Sequence, residues 1–242
     1  MDTERLRLIA LDMDGTITQH RTPIEPYNKD ILRELGKRYH LVVVGAGDCM
    51  RIHRQLREFP IDVIGNYGMS VARYDPPAGL LRIDAEHKAP VADRDAMVKK
   101  ANMLRAQFGF EQYEGDTIEF HASGMMTFAL LGTQARIEDK LAFDPDRSRR
   151  KPLYPAVCEA FDEYTVFIGG SSSFDIVPRP FNKLYALERF CADEEYAVDE
   201  VVFIGDDYGV GGNDEQVYRS EYAFITVDNY KAFDKAVEAL LR

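Results

Sequence analysis

Leu6-Arg7-Leu8-Ile9-Ala10-Leu11-Asp12-Met13-Asp14-Gly15-Thr16 decides how this chain is read. The apolar run at 6–11 has the length of a buried strand, and it delivers two carboxylates, one residue apart, into a glycine turn. Carboxylates that close repel one another unless a cation or a transferred phosphoryl group belongs to the site. At the mouth of a strand, Asp12 is placed to attack phosphorus and form an aspartyl-phosphate, with Mg2+ neutralising carboxylate and phosphate together. Asp14 then has the two tasks of a general acid/base: to protonate the leaving oxygen and later to activate water. Gly15 permits the sharp turn that aims backbone N–H groups at a phosphate. The plainer alternative is an acidic strand exit with solvated carboxylates.

Working outward, strand-length apolar runs alternate with helical periodicity. After the strand at 6–11 come a helix at about 27–39, a strand at 41–44, a helix at about 48–57 and a strand at 62–64. Such alternation predicts βαβ units and a parallel sheet. Between roughly 81 and 180 the pattern changes to a helix at 93–107, strands at 117–121 and 125–131 joined around Ser123-Gly124, a helix at 152–160, and strands at 164–168 and 174–177. The first pattern then resumes with a helix at 183–191, strands at 201–204 and 223–227, and a helical stretch at 231–241. The expected fold is therefore α/β: a doubly wound, mainly parallel Rossmann-like core from residues 1–80 and 181–242, with an α+β cap domain inserted at 81–180. Ser171-Ser172-Ser173 and the basic stretch 147–151 read as surface loops.

Polar clusters follow three of the core strands. Asp12 ends the first, Gly45-Ala46-Gly47-Asp48 the second, and Gly205-Asp206-Asp207 the strand at 201–204. In an open α/β sheet the ligand crevice lies at the carboxyl ends of the strands. Gly205-Asp206-Asp207 and Gly211-Gly212-Asn213-Asp214 offer hard oxygen ligands on a glycine-rich loop, which suits Mg2+, and they lack the alternating spacing of an EF-hand.

Composition narrows the setting. With 242 residues and 45% apolar content, the chain can bury a core domain and a smaller inserted one. A formal charge of −11 argues against nucleic acid or an anionic membrane as partner. Cys49, Cys158 and Cys191 are scattered and odd in number, with no Cys-x-x-Cys pair, so neither a zinc site nor a disulfide framework is expected and a reducing cytoplasm fits. No signal peptide or membrane span is visible, so a soluble cytoplasmic protein is expected, with room for a homodimer.

The set Asp12-Met13-Asp14-Gly15-Thr16, Lys183, Gly205-Asp206 and Gly212-Asn213-Asp214, in that order, resembles the haloacid dehalogenase (HAD) superfamily of aspartate-nucleophile phosphotransferases, in particular members with an α/β cap. Nearly the whole chain resembles eukaryotic-type phosphomannomutases. The segments that carry this are Asp12 to Arg21 with Pro23, Val44-Gly45-Ala46-Gly47-Asp48, Ile118-Glu119-Phe120 with Gly124-Met125, Ile168-Gly169-Gly170 with Ser173-Phe174-Asp175, and Gly211-Gly212-Asn213-Asp214. The resemblance implies Asp12 as nucleophile and metal ligand, Asp14 as acid/base whose main-chain carbonyl also binds metal, and Asp206 as metal ligand. Asn213 and Asp214 would stand behind the metal ligands, and Lys183 would neutralise the phosphoryl group. Substrate contacts would come from Arg21, Gly47, Arg136, Ser173 and Asp175.

Three positions depart from that pattern. Gly47 stands where the family has a Ser or Thr hydroxyl, and His121 and Thr133 stand where two cap arginines would grip a distal phosphate, leaving Arg136 as a third. A mutase must retain a bisphosphate while it turns around, so an incomplete grip favours water as acceptor. The expected function is Mg2+-dependent hydrolysis of a small phosphorylated metabolite such as a sugar phosphate. The alternatives are a hexose phosphomutase and a non-catalytic sugar-phosphate sensor.

Overall fold

The structure, a computed structural model, describes residues 3–242. The expectation that no targeting segment is present falls in part on Met1 and Asp2, which lie outside the described residues. The chain divides into two compact units: one runs to His87 and continues as Asn182–Gly209 and Asp214–Arg242, and the other comprises Lys88–Phe181 with Val210–Asn213.

The first unit is built on a seven-stranded sheet. In chain order its elements are β1 (Leu8–Leu11), α1 (Pro26–Leu35), β2 (His40–Val44), α2 (Cys49–Gln55), β3 (Asp62–Gly65), β4 (Ser70–Asp75) and β5 (Leu80–Glu86). The second unit supplies β6 (Ile118–Phe120), β7 (Met126–Ala129), β8 (Tyr164–Phe167) and β9 (Ser173–Pro178), with helices α3 (Arg94–Gln107), α4 (Ile137–Phe143) and α5 (Tyr154–Ala160). The first unit then resumes with α6 (Lys183–Asp193), β10 (Val201–Gly205), α7 (Glu215–Tyr218), β11 (Ala223–Thr226), α8 (Phe233–Ala236) and α9 (Glu238–Leu241). Its strand order is β11-β10-β1-β2-β3-β4-β5, parallel from β11 to β3 and antiparallel beyond.

The alternation of strand side chains explains the layering. Ile9 and Leu11 of β1, Val43 of β2 and Val202 and Ile204 of β10 face a core shared with Ile31, Leu32 and Leu35 of α1, Ile52 of α2 and Phe233 of α8. The intervening Leu8, Ala10, Val42, Val44, Val201 and Phe203 face a second core with Leu187 and Phe190 of α6 and Val217 of α7. Strands covered on both faces need continuous apolar runs, which is why β1, β10 and β2 beyond His40 lack polar side chains facing either layer. The doubly wound, mainly parallel sheet expected from the sequence is therefore present.

Two elements differ from the sequence reading. The hairpin β4–β5 was not expected, because β5 at the sheet edge buries only Leu81 and so carries no clear period-two signal. It also carries the first unit past residue 80. The helical stretch at 231–241 is broken into α8 and α9 around Val237.

The second unit is a four-stranded antiparallel sheet in the order β6-β7-β9-β8. Met126, Phe128, Phe174, Ile176 and Val166 pack from it against Ala101 and Leu104 of α3 and Val157 of α5. Helix α4 buries no residue, so no apolar stripe betrays it in the sequence. Among the described residues, no helix is long and apolar enough to cross a membrane.

Candidate active site

Asp12 continues the β1 ladder by one step, its N–H donating to the Ile204 carbonyl at 2.8 Å, so it stands beside the end of β10. Because Leu11 is in register with both Val43 and Ile204, the loops after β1, β2 and β10 leave from one edge of the sheet. The loop after β1 closes on itself through Gly15 N–H to the Thr18 carbonyl (2.8 Å) and Thr18 N–H to the Met13 carbonyl (3.0 Å).

Three carboxylates and one ammonium meet there. Lys183, the first residue of α6, is fully buried, with its Nζ bonded to Asp12 Oδ1 and, at 2.7 Å, to Asp214 Oδ1. Burial opposes its charge, but the two carboxylates outweigh it and hold its pKa above the ordinary lysine value. Asp214 also accepts the Asp207 N–H through Oδ2 at 3.0 Å, so both its oxygens are engaged in positioning Lys183 and the Asp207 loop. Thr16 Oγ1 lies 3.1 Å from Asp12 Oδ2 and 3.0 Å from Asp206 Oδ1, holding the two carboxylates at hydrogen-bond range from one hydroxyl.

Burial, with Asp12 and Asp214 alongside, pushes the Asp206 carboxyl up to about 9. Single carboxylate oxygens of Asp12, Asp206 and Asp214 lie within 4.8 Å of one another. One ammonium does not balance this many acids, and a hard divalent cation on Asp12 and Asp206 is the complement the donor set calls for.

Asp14 is held differently. Its Oδ1 accepts the Arg21 N–H at 2.8 Å, Gln55 Nε2 at 2.6 Å and Thr18 Oγ1 at 3.4 Å. Three donors on one oxygen keep Oδ1 an acceptor and direct any proton to Oδ2. Arg21 reaches this bond through a left-handed backbone, φ 56°, which folds its N–H back toward Asp14.

Gly15 has no substitute here. At φ 104°, a Cβ on it would meet Asp206 Oδ2 at 2.3 Å. Gly15→Ala is expected to combine backbone strain of about 1–3 kcal/mol with displacement of the Asp206 carboxylate. Urea denaturation checks this, and a variant as stable as the parent would remove the close approach from the account.

The second unit places its sequence-predicted residues as follows. Ser173 Oγ donates to the Gly169 carbonyl at 3.2 Å, and a Cβ on Gly169 would meet the Asp175 carboxylate at 2.4 Å, so both side chains lie against the 169–173 turn. Arg136 caps α4 and is exposed, paired with Asp139 at 2.8 and 3.0 Å. His121 Nε2 is 3.0 Å from Thr127 Oγ1, and Thr133 Oγ1 accepts the Asp116 N–H at 3.0 Å. Asn213 ends the short segment that belongs to this unit.

Sequence reasoning missed Arg150. The basic stretch read as a surface loop contains a guanidinium buried against Asp144 (2.7 Å) that donates to the carbonyls of Gly169, Gly170 and Ser173 at 2.7 to 3.1 Å. It shapes the turn that carries Ser173. Thr16 and Gln55 were also missed as partners of Asp12 and Asp14, because their parts depend on which oxygens the fold brings within reach.

A doubly wound sheet bearing an aspartate pair after its first strand, a buried lysine at the start of a later helix and an aspartate after the following strand defines a HAD-superfamily phosphotransferase. Within that class, the family described as eukaryotic phosphomannomutase matches residues 28–241, and the chain belongs to it. A phosphomannomutase of Solanum lycopersicum is 30% identical over 232 residues, covering 91% of this chain and 88% of that protein. One of Schizosaccharomyces pombe is 28% identical over 235 residues, covering 87% and 84%. Among solved structures, an N-terminally truncated IMP-nucleotidase of Plasmodium falciparum superposes with a TM-score of 0.70 at 16% identity, covering 98% of this chain and 71% of that one. A haloacid dehalogenase-like hydrolase of Bacteroides thetaiotaomicron gives 0.57 at 15% identity, covering 96% and 92%. The structural likenesses establish the HAD fold, and the family match makes the chain an enzyme of phosphoryl transfer.

Proposed function

We propose that this chain transfers the phosphoryl group of a hexose phosphate through an aspartyl-phosphate on Asp12, with Mg2+ held by Asp12, Asp206 and the Asp14 carbonyl. The observation that carries the reading is the Asp12 carboxylate at the end of β1, bonded by Lys183 on one oxygen and approached by Thr16 and Asp206 on the other side. When bound, the cation would neutralise the carboxylates and the phosphoryl oxygens. Asp12 attacks phosphorus, the bond from phosphorus to the sugar oxygen breaks, and Asp14 Oδ2 gives that oxygen its proton. Asp14 then takes a proton from the acceptor hydroxyl, whose oxygen displaces Asp12. Lys183 stays protonated throughout and offsets the charge gathering around Asp12.

Family membership puts sugar ahead of water as acceptor, which makes a phosphomutase the first reading. Hydrolysis, the outcome expected from the sequence, is the second, and one observation favours it. Thr133 and His121 are engaged within their own unit, and Arg136 is paired with Asp139, so these three positions present no unpaired guanidinium for a second phosphate. Mannose 1-phosphate with a trace of hexose 1,6-bisphosphate decides between them. Interconversion well ahead of phosphate release is expected, and phosphate release without interconversion would overturn the mutase reading in favour of hydrolysis.

The metal assignment has its own test. The Asp206 carboxyl is raised from 3.8 to about 9, so the folded metal-free protein binds more protons than the unfolded chain across that range. Its stability is therefore expected to fall as pH rises from about 4 toward 9. Mg2+ should flatten that slope and raise Tm, most strongly at the alkaline end. Thermal melts with and without Mg2+ at several pH values check this, and identical curves would remove the cation from the site.

A further inference from the structure

We infer that Arg51 is a phosphate-binding residue of this site, its guanidinium standing in for the hydroxyl that Gly47 lacks. The inference rests on the reading of Asp12 as the phosphoryl-accepting centre. Gly47 follows β2 at the sheet edge shared by Asp12, at the place where the resembled family carries Ser or Thr. That place is filled. A Cβ on Gly47 would lie 1.9 Å from Arg51 Nη2 and 2.4 Å from both Cζ and Nε, so the guanidinium occupies the space a side chain at 47 would take.

The arrangement that holds it there is local. Asp48 caps α2 by accepting the Arg51 N–H at 2.9 Å, which turns the first turn of the helix so that residue 51 lies back over residue 47. Arg51 Nη1 donates to Gln55 Oε1 at 3.0 Å, and Gln55 Nε2 donates to Asp14 Oδ1 at 2.6 Å. Arg51 is thus two hydrogen bonds from the acid/base, with one face on Gly47 and donors to spare, since a guanidinium has five N–H groups.

His20 lies within electrostatic reach of the same groups. Its Nε2 is buried with no hydrogen-bond partner among the described residues, and Asp14, Arg21, Arg51 and Asp12 all act on its ring electrostatically. A buried polar atom left unpaired within electrostatic reach of two guanidinium-bearing residues and two carboxylates suits a pocket that an oxyanion completes. A hydroxyl and a guanidinium are alternatives for one position: the hydroxyl gives one donor, whereas the guanidinium gives a charged fork suited to two phosphate oxygens.

The test uses the whole chain with Mg2+ and inorganic phosphate as probe, read by titration calorimetry, together with KM and kcat on a hexose phosphate. Arg51→Met is expected to weaken phosphate binding about tenfold to a hundredfold, with KM rising in step. Arg51→Lys, which keeps the charge and loses the fork, should fall between. The double variant G47S/R51M restores a hydroxyl in the vacated space and should recover most of the lost affinity. Unchanged phosphate binding in Arg51→Met, with the parent still turning over, overturns the inference and leaves the Asp12 reading intact. Failure of G47S/R51M to recover affinity overturns the exchange of guanidinium for hydroxyl. A parent chain that neither binds phosphate nor turns over any hexose phosphate overturns the Asp12 reading itself, and the inference with it.

Discussion

Asp12→Asn is expected to lower phosphoryl transfer by at least about 10^4-fold, some 5 kcal/mol of transition-state stabilisation, because an amide in the same place cannot form the aspartyl-phosphate. The fold should survive. Asparagine keeps the volume and an acceptor oxygen for Lys183 or Thr16, Lys183 retains Asp214 at 2.7 Å, and the like charge beside Asp206 disappears. Loss of that charge has a second consequence: the Asp206 carboxyl should titrate lower, so the metal-free variant should lose less stability than the parent between pH 4 and 9. Steady-state rates and denaturation across pH test both halves. Unchanged turnover would refute the catalytic assignment, whereas a parent chain that binds sugar phosphates but turns none over would make the protein a sensor on an enzyme fold.

The parts of this site that could be read in the sequence share one property: their position relative to a buried parallel strand fixes their place in space. Asp12, Gly45 to Asp48 and Asp206 each follow an apolar run covered on both faces, and such runs can only lie side by side with their ends aligned. Residues whose role depends on side-chain reach were not legible. Arg150 lies in a basic stretch whose composition suggests solvent, and only the convergence of three carbonyls with Asp144 explains its burial. Arg51 is one of two arginines on a short helix, and its proximity to Gly47 appears only once Asp48 caps that helix. The edge hairpin β4–β5 and helix α4 were invisible for the opposite reason. Strand β5 buries only Leu81 and α4 buries no residue, so neither carries an apolar periodicity.

Lys183→Met is expected to destabilise the metal-free protein by about 3–5 kcal/mol at pH 8, because it leaves Asp12 and Asp214 buried without a counter-charge. Methionine has nearly the length of lysine, so the loss reports charge rather than volume. Its pH dependence follows from the carboxylates. Burial and the neighbouring acids already raise Asp214 to about 7 with Lys183 in place, and removing the ammonium raises it further. The folded variant therefore binds more protons than the unfolded chain over a wider range, so its deficit against the parent should shrink toward pH 6 and widen toward pH 9. Lys183→Met combined with Asp214→Asn removes both partners of one ion pair while keeping an acceptor for the Asp207 N–H, and should recover a substantial part of the stability. It should recover none of the turnover, because Asp12 and the phosphoryl group would still lack their ammonium. Urea denaturation at pH 6 and 8, with rates measured on the same three proteins, separates the two parts Lys183 plays. A double variant that regained activity with its stability would confine Lys183 to holding the fold.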